Sequence, residues 1–225
     1  MEVVARISNG FTSKFGVPRQ SGLAESVISR VVFEPGFRDP GWIRGIEGFS
    51  HLWLLWEFTG VKNRDHTPTV RPPRLGGNER MGVFATRSPY RPNNIGLSCV
   101  RLISVEDTQE GKVLVVSGAD LMDGTPIIDI KPYVPLTDLR QDAAGGFTDT
   151  RPYPTLKVDI PRALETLVPE EAREGLREIL SLDPRPAYQD DPERVYGLSY
   201  AGLNVRFRVG GGTLRVTEIA SPEKE

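Results

Sequence analysis

The stretch GLSCVRLISVEDTQEGKVLVVS, residues 96–117, decides how this chain folds. Within it, Leu97, Cys99, Arg101, Ile103 and Val105 share one face of an extended chain, and Ser98, Val100, Leu102 and Ser104 share the other. Residues 112–116 are nearly all apolar, the pattern of a strand covered on both sides. The same texture spreads in both directions. Residues 3–7, 26–33, 49–58, 82–86 and 126–134 are further β-rich runs, separated by turn signals. Short strands without helical crossovers of roughly 10–15 residues predict a mainly β fold, a compact β-barrel that is not a Rossmann sheet.

Beyond these strands the pattern changes. Residues 137–154 read as a linker, carrying Asp138, Asp142, Gly145, Gly146, Asp149, Pro152 and Pro154. Residues 163–182 are helical in period, with Leu167, Ala172, Leu176, Ile179 and Leu180 as an apolar stripe. Glu170, Glu171 and Glu174 favour a helix start there, and Pro169 predicts a break between two short helices. LNVRFRV (203–209) and TLRVTEI (213–219) alternate on either side of three glycines, which predicts a hairpin. The expected organisation is a barrel over residues 1–140 and a small α+β domain over residues 150–225.

Composition excludes several functions. One cysteine, Cys99, allows no internal disulfide, and His51 and His66 match no metal-ligand spacing, so no metal is expected. The start, MEVVARISNG, is not a signal peptide, and no apolar run reaches membrane-spanning length; a cytoplasmic protein without a membrane partner is expected. Dinucleotide, P-loop, α/β-hydrolase and zincin signatures are absent. The net charge of −2 advertises no nucleic-acid partner, but it hides an uneven distribution. Residues 62–91 carry a net charge of +5, and residues 138–194 a net charge of −5.

Rigid, chemically rich sequence is concentrated where strands end, which is where binding groups sit on a β scaffold. The segments are RPPRLGGN (71–78), RMGVFATRSPYRPNNIGLS (80–98) and DLMDGTPIIDIKPYVP (120–135); to these the chain adds the motifs VPRQSGLAES (17–26), GFSHLWLLWEF (48–58), TVRPPRLGGNERMGVFATRSPYRPNNIGLS (69–98) and DPRPAY (183–188). On these motifs the chain resembles the TsaA-like family, and most closely its two-domain bacterial branch, the TrmO-type tRNA threonylcarbamoyladenosine methyltransferases. The similarity covers nearly the whole chain. One departure is visible: Asn93-Asn94 stands where the family often has Asn-Pro.

The resemblance implies S-adenosylmethionine as methyl donor, bound near a homodimer interface, and methylation of N6 of threonylcarbamoyladenosine in the tRNA anticodon loop. It places donor contacts on Arg19, Gln20, Ser21, Gly22, Leu23, Thr59, Gly60, Arg87, Leu97, Ser117, Gly118, Ala119 and Asp120. A guanidinium can grip the donor's carboxylate through two bonds, and a carboxylate can accept from its ribose hydroxyls. Asp129 and Tyr133, with Asp120, are candidate proton acceptors by residue type. Arg91 and Lys131 are candidate cations for the substrate's carboxylate, and Arg185 and Tyr188 for contact with the anticodon loop. Two other readings stay open: a methyltransferase of the same fold with a different substrate, and a module that binds S-adenosylmethionine or RNA without turnover.

Overall fold

The structure is a computed structural model that describes residues 1–61, 67–151, 155–186 and 191–221. Six antiparallel strands, β1 (Ala5–Ser8), β2 (Ile28–Phe33), β3 (His51–Glu57), β6 (Ile95–Thr108), β7 (Gly111–Ser117) and β8 (Pro126–Pro132), pair in the order β1-β2-β7-β6-β3-β8. Because β8 also pairs with β1, the sheet closes on itself as a barrel. Closure removes the free edges that a six-stranded sheet would otherwise present. The two-stranded β4 (Thr69–Val70) and β5 (Met81–Gly82) form a separate ribbon in the long loop before β6.

The alternation in β6 resolves in favour of Ser98 and Val100, which are buried, while Leu97, Arg101 and Ile103 are exposed. Val113, Leu114, Val115, Val116 and Ser117 are all buried in β7, so that strand is covered on both faces as expected. The barrel interior is filled by Ala5, Ile7, Val31, Leu52, Leu54, Trp56, Val100, Leu114, Val116 and Ile127, among others. Trp56 lies against Gly96 so closely that any side chain at that position would run into the indole. Residues 82–86 depart from the expected strand. Gly82 ends β5, and Val83–Ala85 turn as a 3-10 helix whose close leaves Phe84 outside and Val83 buried.

The linker contains two single-turn helices, α1 (Pro135–Asp138) and α2 (Phe147–Thr150). A four-stranded sheet follows in the order β10-β11-β12-β9: β10 (Tyr196–Tyr200), β11 (Leu203–Gly210), β12 (Thr213–Ala220) and β9 (Lys157–Asp159), with β9 parallel to β12. The hairpin and the break at Pro169 both appear: α3 is Arg162–Glu165 and α4 is Glu170–Ser181. Ala172, Gly175, Leu176, Ile179 and Leu180 form the buried face of α4. Leu167 does not join them and is half exposed, since it lies between the two helices before the proline break. No described helix is long and apolar enough to cross a membrane.

The core beneath α4 is not built from the C-terminal residues alone. Phe11, Ala24 and Val27, from the excursion between β1 and β2, are fully buried in it, and the Phe11 ring lies 5.3 Å from that of Tyr200. Burial and the nearby Glu178 charge push the Tyr200 hydroxyl up to about 12. Since Phe11 is enclosed by residues from both halves, Phe11→Ala is expected to destabilise the protein by about 3–5 kcal/mol. Urea denaturation followed by circular dichroism measures this. A loss below about 1 kcal/mol would mean that the excursion is not part of that core.

Candidate active site

Three segments meet at one rim of the barrel. The first is the excursion from β1 to β2, the second the start of β6, and the third the turn that follows β7. Gly22 N donates to Gly118 O at 2.9 Å, and Cys99 N donates to Ser21 Oγ at 3.2 Å. Gly22 and Gly118 both have left-handed φ values, 77° and 76°, which glycine adopts without penalty. A side chain on Gly118 would meet the Gly22 backbone at 3.4 Å, so the two loops approach backbone to backbone.

Asp120 closes this turn beside a buried polar chain. Trp56 Nε1 donates to Ser98 Oγ at 2.9 Å, and Ser98 Oγ donates to Asp120 Oδ1 at 2.5 Å. Burial raises the Asp120 carboxyl above the ordinary aspartate range. The Ser98 hydroxyl, the Arg87 charge and the Ser21 backbone oppose that shift without cancelling it. Arg87 Nη1 in turn donates to Gln20 Oε1 at 2.7 Å. Gln20, Ser21, Gly22, Arg87, Ser98, Gly118 and Asp120 therefore form one linked cluster. Ser98 and Trp56 were not singled out as site residues from the sequence. The available signal was a serine on the face of β6 that also carries Val100 and Leu102.

Arg19, Gln20 and Arg87 also line a cleft of about 1420 Å³ whose far wall is formed by residues 145–148. Among the described residues, five arginines line it, Arg19, Arg71, Arg74, Arg80 and Arg87, and no carboxylate does. Arg74 joins the walls by donating to Arg151 O at 2.8 Å and Thr148 O at 3.0 Å. Phe84 and Tyr90 line the cleft and are 79% and 54% exposed. The Arg91 guanidinium lies 5.9 Å from the Phe84 ring centre and donates to Thr86 O. Asn94, the position of the family departure, has φ 38° and donates its amide to Arg91 O; a proline ring fits neither feature.

Other expected site residues stand elsewhere. Thr59 and Gly60 are exposed beyond the end of β3, and Leu97 is exposed on the barrel's outer face. Leu23 is half-buried, and Ser117 and Ala119 are buried beside the Gly118 turn. Asp129 pairs across β3 with Leu55, whose other partner is Leu97, so all three share the outer face. Lys131 Nζ pairs with Asp129 at 2.8 Å, and the Tyr133 ring lies 5.7 Å from that of Trp53. None of Asp129, Lys131 and Tyr133 lines the cleft. Arg185 is folded onto Asp183, and Tyr188 lies outside the described residues, as does His66. No group of three or more metal-ligating side chains comes together among the described residues.

Comparison with known proteins follows the same two parts. The family model described as the tRNA-methyltransferase O N-terminal domain matches residues 6–139, and the TrmO C-terminal domain matches residues 154–222. The chain is 40% identical over 216 residues to the Escherichia coli tRNA (adenine(37)-N6)-methyltransferase, covering 92% of each chain. It is 44% identical over 175 residues to the Eikenella corrodens protein of the same name, covering 78% of this chain and 99% of that one. A crystal structure of TrmO superposes with a TM-score of 0.79 at 33% identity, over 98% of this chain and 99% of the other.

The raised Asp120 carboxyl has a consequence for stability. Folding penalises its ionised form, so the charged side chain subtracts from stability at neutral pH. The penalty fades as the pH falls through the raised value and below the ordinary aspartate range. Asp120→Asn is therefore expected to be more stable than the parent at neutral pH and to lose that advantage in acid. Thermal melts of both proteins across pH measure the difference. An advantage that does not shrink on acidification contradicts the assignment.

Proposed function

The chain belongs to the tRNA-methyltransferase O family, and on that footing we propose that it methylates N6 of threonylcarbamoyladenosine at position 37 of the tRNA anticodon loop. It is an S-adenosylmethionine-dependent tRNA methyltransferase. The finer reading rests on one observation: the Gln20–Asp120–Arg87 cluster borders a cleft lined, among the described residues, by five arginines and no carboxylate. A donor site and a polyanion site thus share a wall.

The residues at the rim suit the donor. S-adenosylmethionine supplies an electrophilic methyl group on its sulfonium, displaced in line, so the protein's task is alignment and exclusion of water. The Asp120 carboxylate can accept from hydroxyls, and the Arg87 guanidinium can grip a carboxylate, which supports this reading. The Gly22 and Gly118 backbones, which carry no side chain, leave room for a flat group to approach. The arginines along the cleft suit phosphates, and Phe84 and Tyr90 present faces on which bases can stack.

The accepting nitrogen lies between a purine and a carbonyl and must lose a proton, yet Asp129 and Tyr133 do not line the cleft. They stand near Leu97 on the outer face of the barrel, where Leu97 and Ile103 are 46% and 50% exposed. These placements support a homodimer in which the outer face of one copy completes the cleft of the other. Light scattering that finds a fully active monomer contradicts this part. The tRNA substrate and the absence of paired cysteines support action in the cytoplasm.

The reaction is tested by incubating the protein with S-adenosylmethionine and tRNA carrying threonylcarbamoyladenosine, then analysing nucleosides by mass spectrometry. One added methyl on that nucleoside is expected; no methyl gain at position 37 overturns the reading. In the same assay Phe84→Ala is expected to weaken tRNA use by about 1–3 kcal/mol, seen as a higher KM for tRNA with donor affinity unchanged. Phe84 is exposed, so the change should leave stability alone. An unaltered KM removes the cleft from the path of the RNA.

A further inference from the structure

The segment that carries Gln20, Ser21, Gly22 and Leu23 is held at one end by the turn that follows α4 and at the other by the last turns of α4 itself. At one end, Arg19 Nη2 donates to Asp183 O at 3.2 Å and to Arg185 O at 3.1 Å. At the other, the Glu178 carboxylate accepts from Ser26 N at 2.7 Å and from Ser26 Oγ at 2.9 Å. Both anchors belong to the C-terminal half of the chain.

The anchoring turn is rigid for reasons of its own. It follows α4 directly, and the Asp183 amide donates to Leu180 O. Asp183 adopts φ 50°, unusual for a residue with a side chain. Its carboxylate compensates by accepting from Arg185 N at 3.3 Å and Nε at 2.8 Å through one oxygen, and from Nη2 at 2.9 Å through the other. Only 14% and 13% of the two side chains are exposed, so this is a desolvated, bidentate pair rather than a surface one. Beneath it, Ile179 and Leu180 are fixed in the core. The pair fixes the carbonyls that Arg19 needs.

From Arg19 the contact continues into the site. Gln20 Nε2 donates to Arg19 O, and Gln20 Oε1 accepts from Arg87. We propose that the Asp183–Arg185 turn and Glu178 are positioning residues for the donor loop, so the C-terminal half acts on S-adenosylmethionine binding through residues 19–26. This rests on the reading that the Gln20–Gly22 loop receives the donor. It assigns the first half of DPRPAY to holding that loop rather than to gripping RNA.

The experiment compares full-length Asp183→Ala, Glu178→Gln and Gln20→Ala with the parent, using calorimetry with S-adenosylmethionine and filter binding of tRNA without donor. Asp183→Ala is expected to weaken donor binding about tenfold, with tRNA affinity nearly unchanged. Its KM for the donor should rise while kcat at saturating donor is kept. Combined with Arg19→Gln, Asp183→Ala should add little further loss, because the two changes break one connection; general destabilisation would add. Should Asp183→Ala fail to fold, Arg185→Lys keeps the charge but not the fork, and it is expected to give a smaller loss of the same kind. Loss of tRNA affinity with donor affinity intact overturns the proposal. So does a normal donor affinity in both Asp183→Ala and Glu178→Gln when Gln20→Ala binds donor weakly. If Gln20→Ala also binds donor normally, the donor does not use this loop, and the reading beneath the proposal fails with it.

Discussion

Phe11, Ala24 and Val27 come from between two neighbouring strands of the barrel, yet they are buried in the core beneath α4. This one constraint governs the rest of the molecule. β1 and β2 are antiparallel neighbours that a tight turn could join. The chain instead leaves the barrel, fills a gap in the second core and returns. Three buried apolar side chains contribute several kcal/mol to that route. Of the residues between them, Phe15 and Val17 also pack on that second core, and residues 20–22 are carried to the barrel rim. The loop's position is therefore set by the packing of a core some distance from the cleft, and only afterwards by the polar contacts of Gly22, Ser21 and Gln20.

The polar cluster at the rim works against stability, and that opposition is informative. A carboxyl whose ionised form is penalised by burial is retained at Asp120 although a neutral side chain would fold more easily. Ser98 and Trp56 limit the penalty by supplying a hydrogen bond from inside the barrel, where a serine between apolar neighbours has little other use. Gly96 has the same logic, since it leaves room for the indole that donates to Ser98. The cluster is thus built through the barrel wall, from interior donor to rim acceptor.

What could be read in the sequence follows from the range of the interactions involved. Strands with alternating or continuous apolar runs, such as residues 97–105 and 112–116, depend on neighbours a residue or two away, and they fold as read. So does the break at Pro169, a local steric effect. Residues 82–86 look extended in composition, but Val83 is drawn inward by the barrel and the chain turns around it. The short β9 has too few residues to show a period and exists because β12 offers it an edge. Gln20, Arg87, Gly118 and Asp120, each within a recognisable loop motif, lie close together in the fold. Contacts between distant segments leave no local pattern to read. Arg185 looks like a free cation until Asp183 is seen to curl it inward, and nothing near Ser26 announces Glu178.

The cleft shows why net charge is a poor guide to a polyanion partner. Residues 138–194 are acidic in sum, and part of that segment, residues 145–148, forms a wall of the cleft. It presents glycine backbone, Phe147 and Thr148 to the opening and no carboxylate, and Asp149 turns back to accept from Gly145 N. Arg74 reaches across to the backbone carbonyls of this wall. Among the described residues that line the cleft, the charged side chains are all arginines. A whole-chain charge of −2 is consistent with a local field of the opposite sign, because interactions beyond about 10 Å are largely screened at moderate salt. Polyanion binding in such a cleft would depend on a few arginines and exposed rings placed close together rather than on the net charge of the chain.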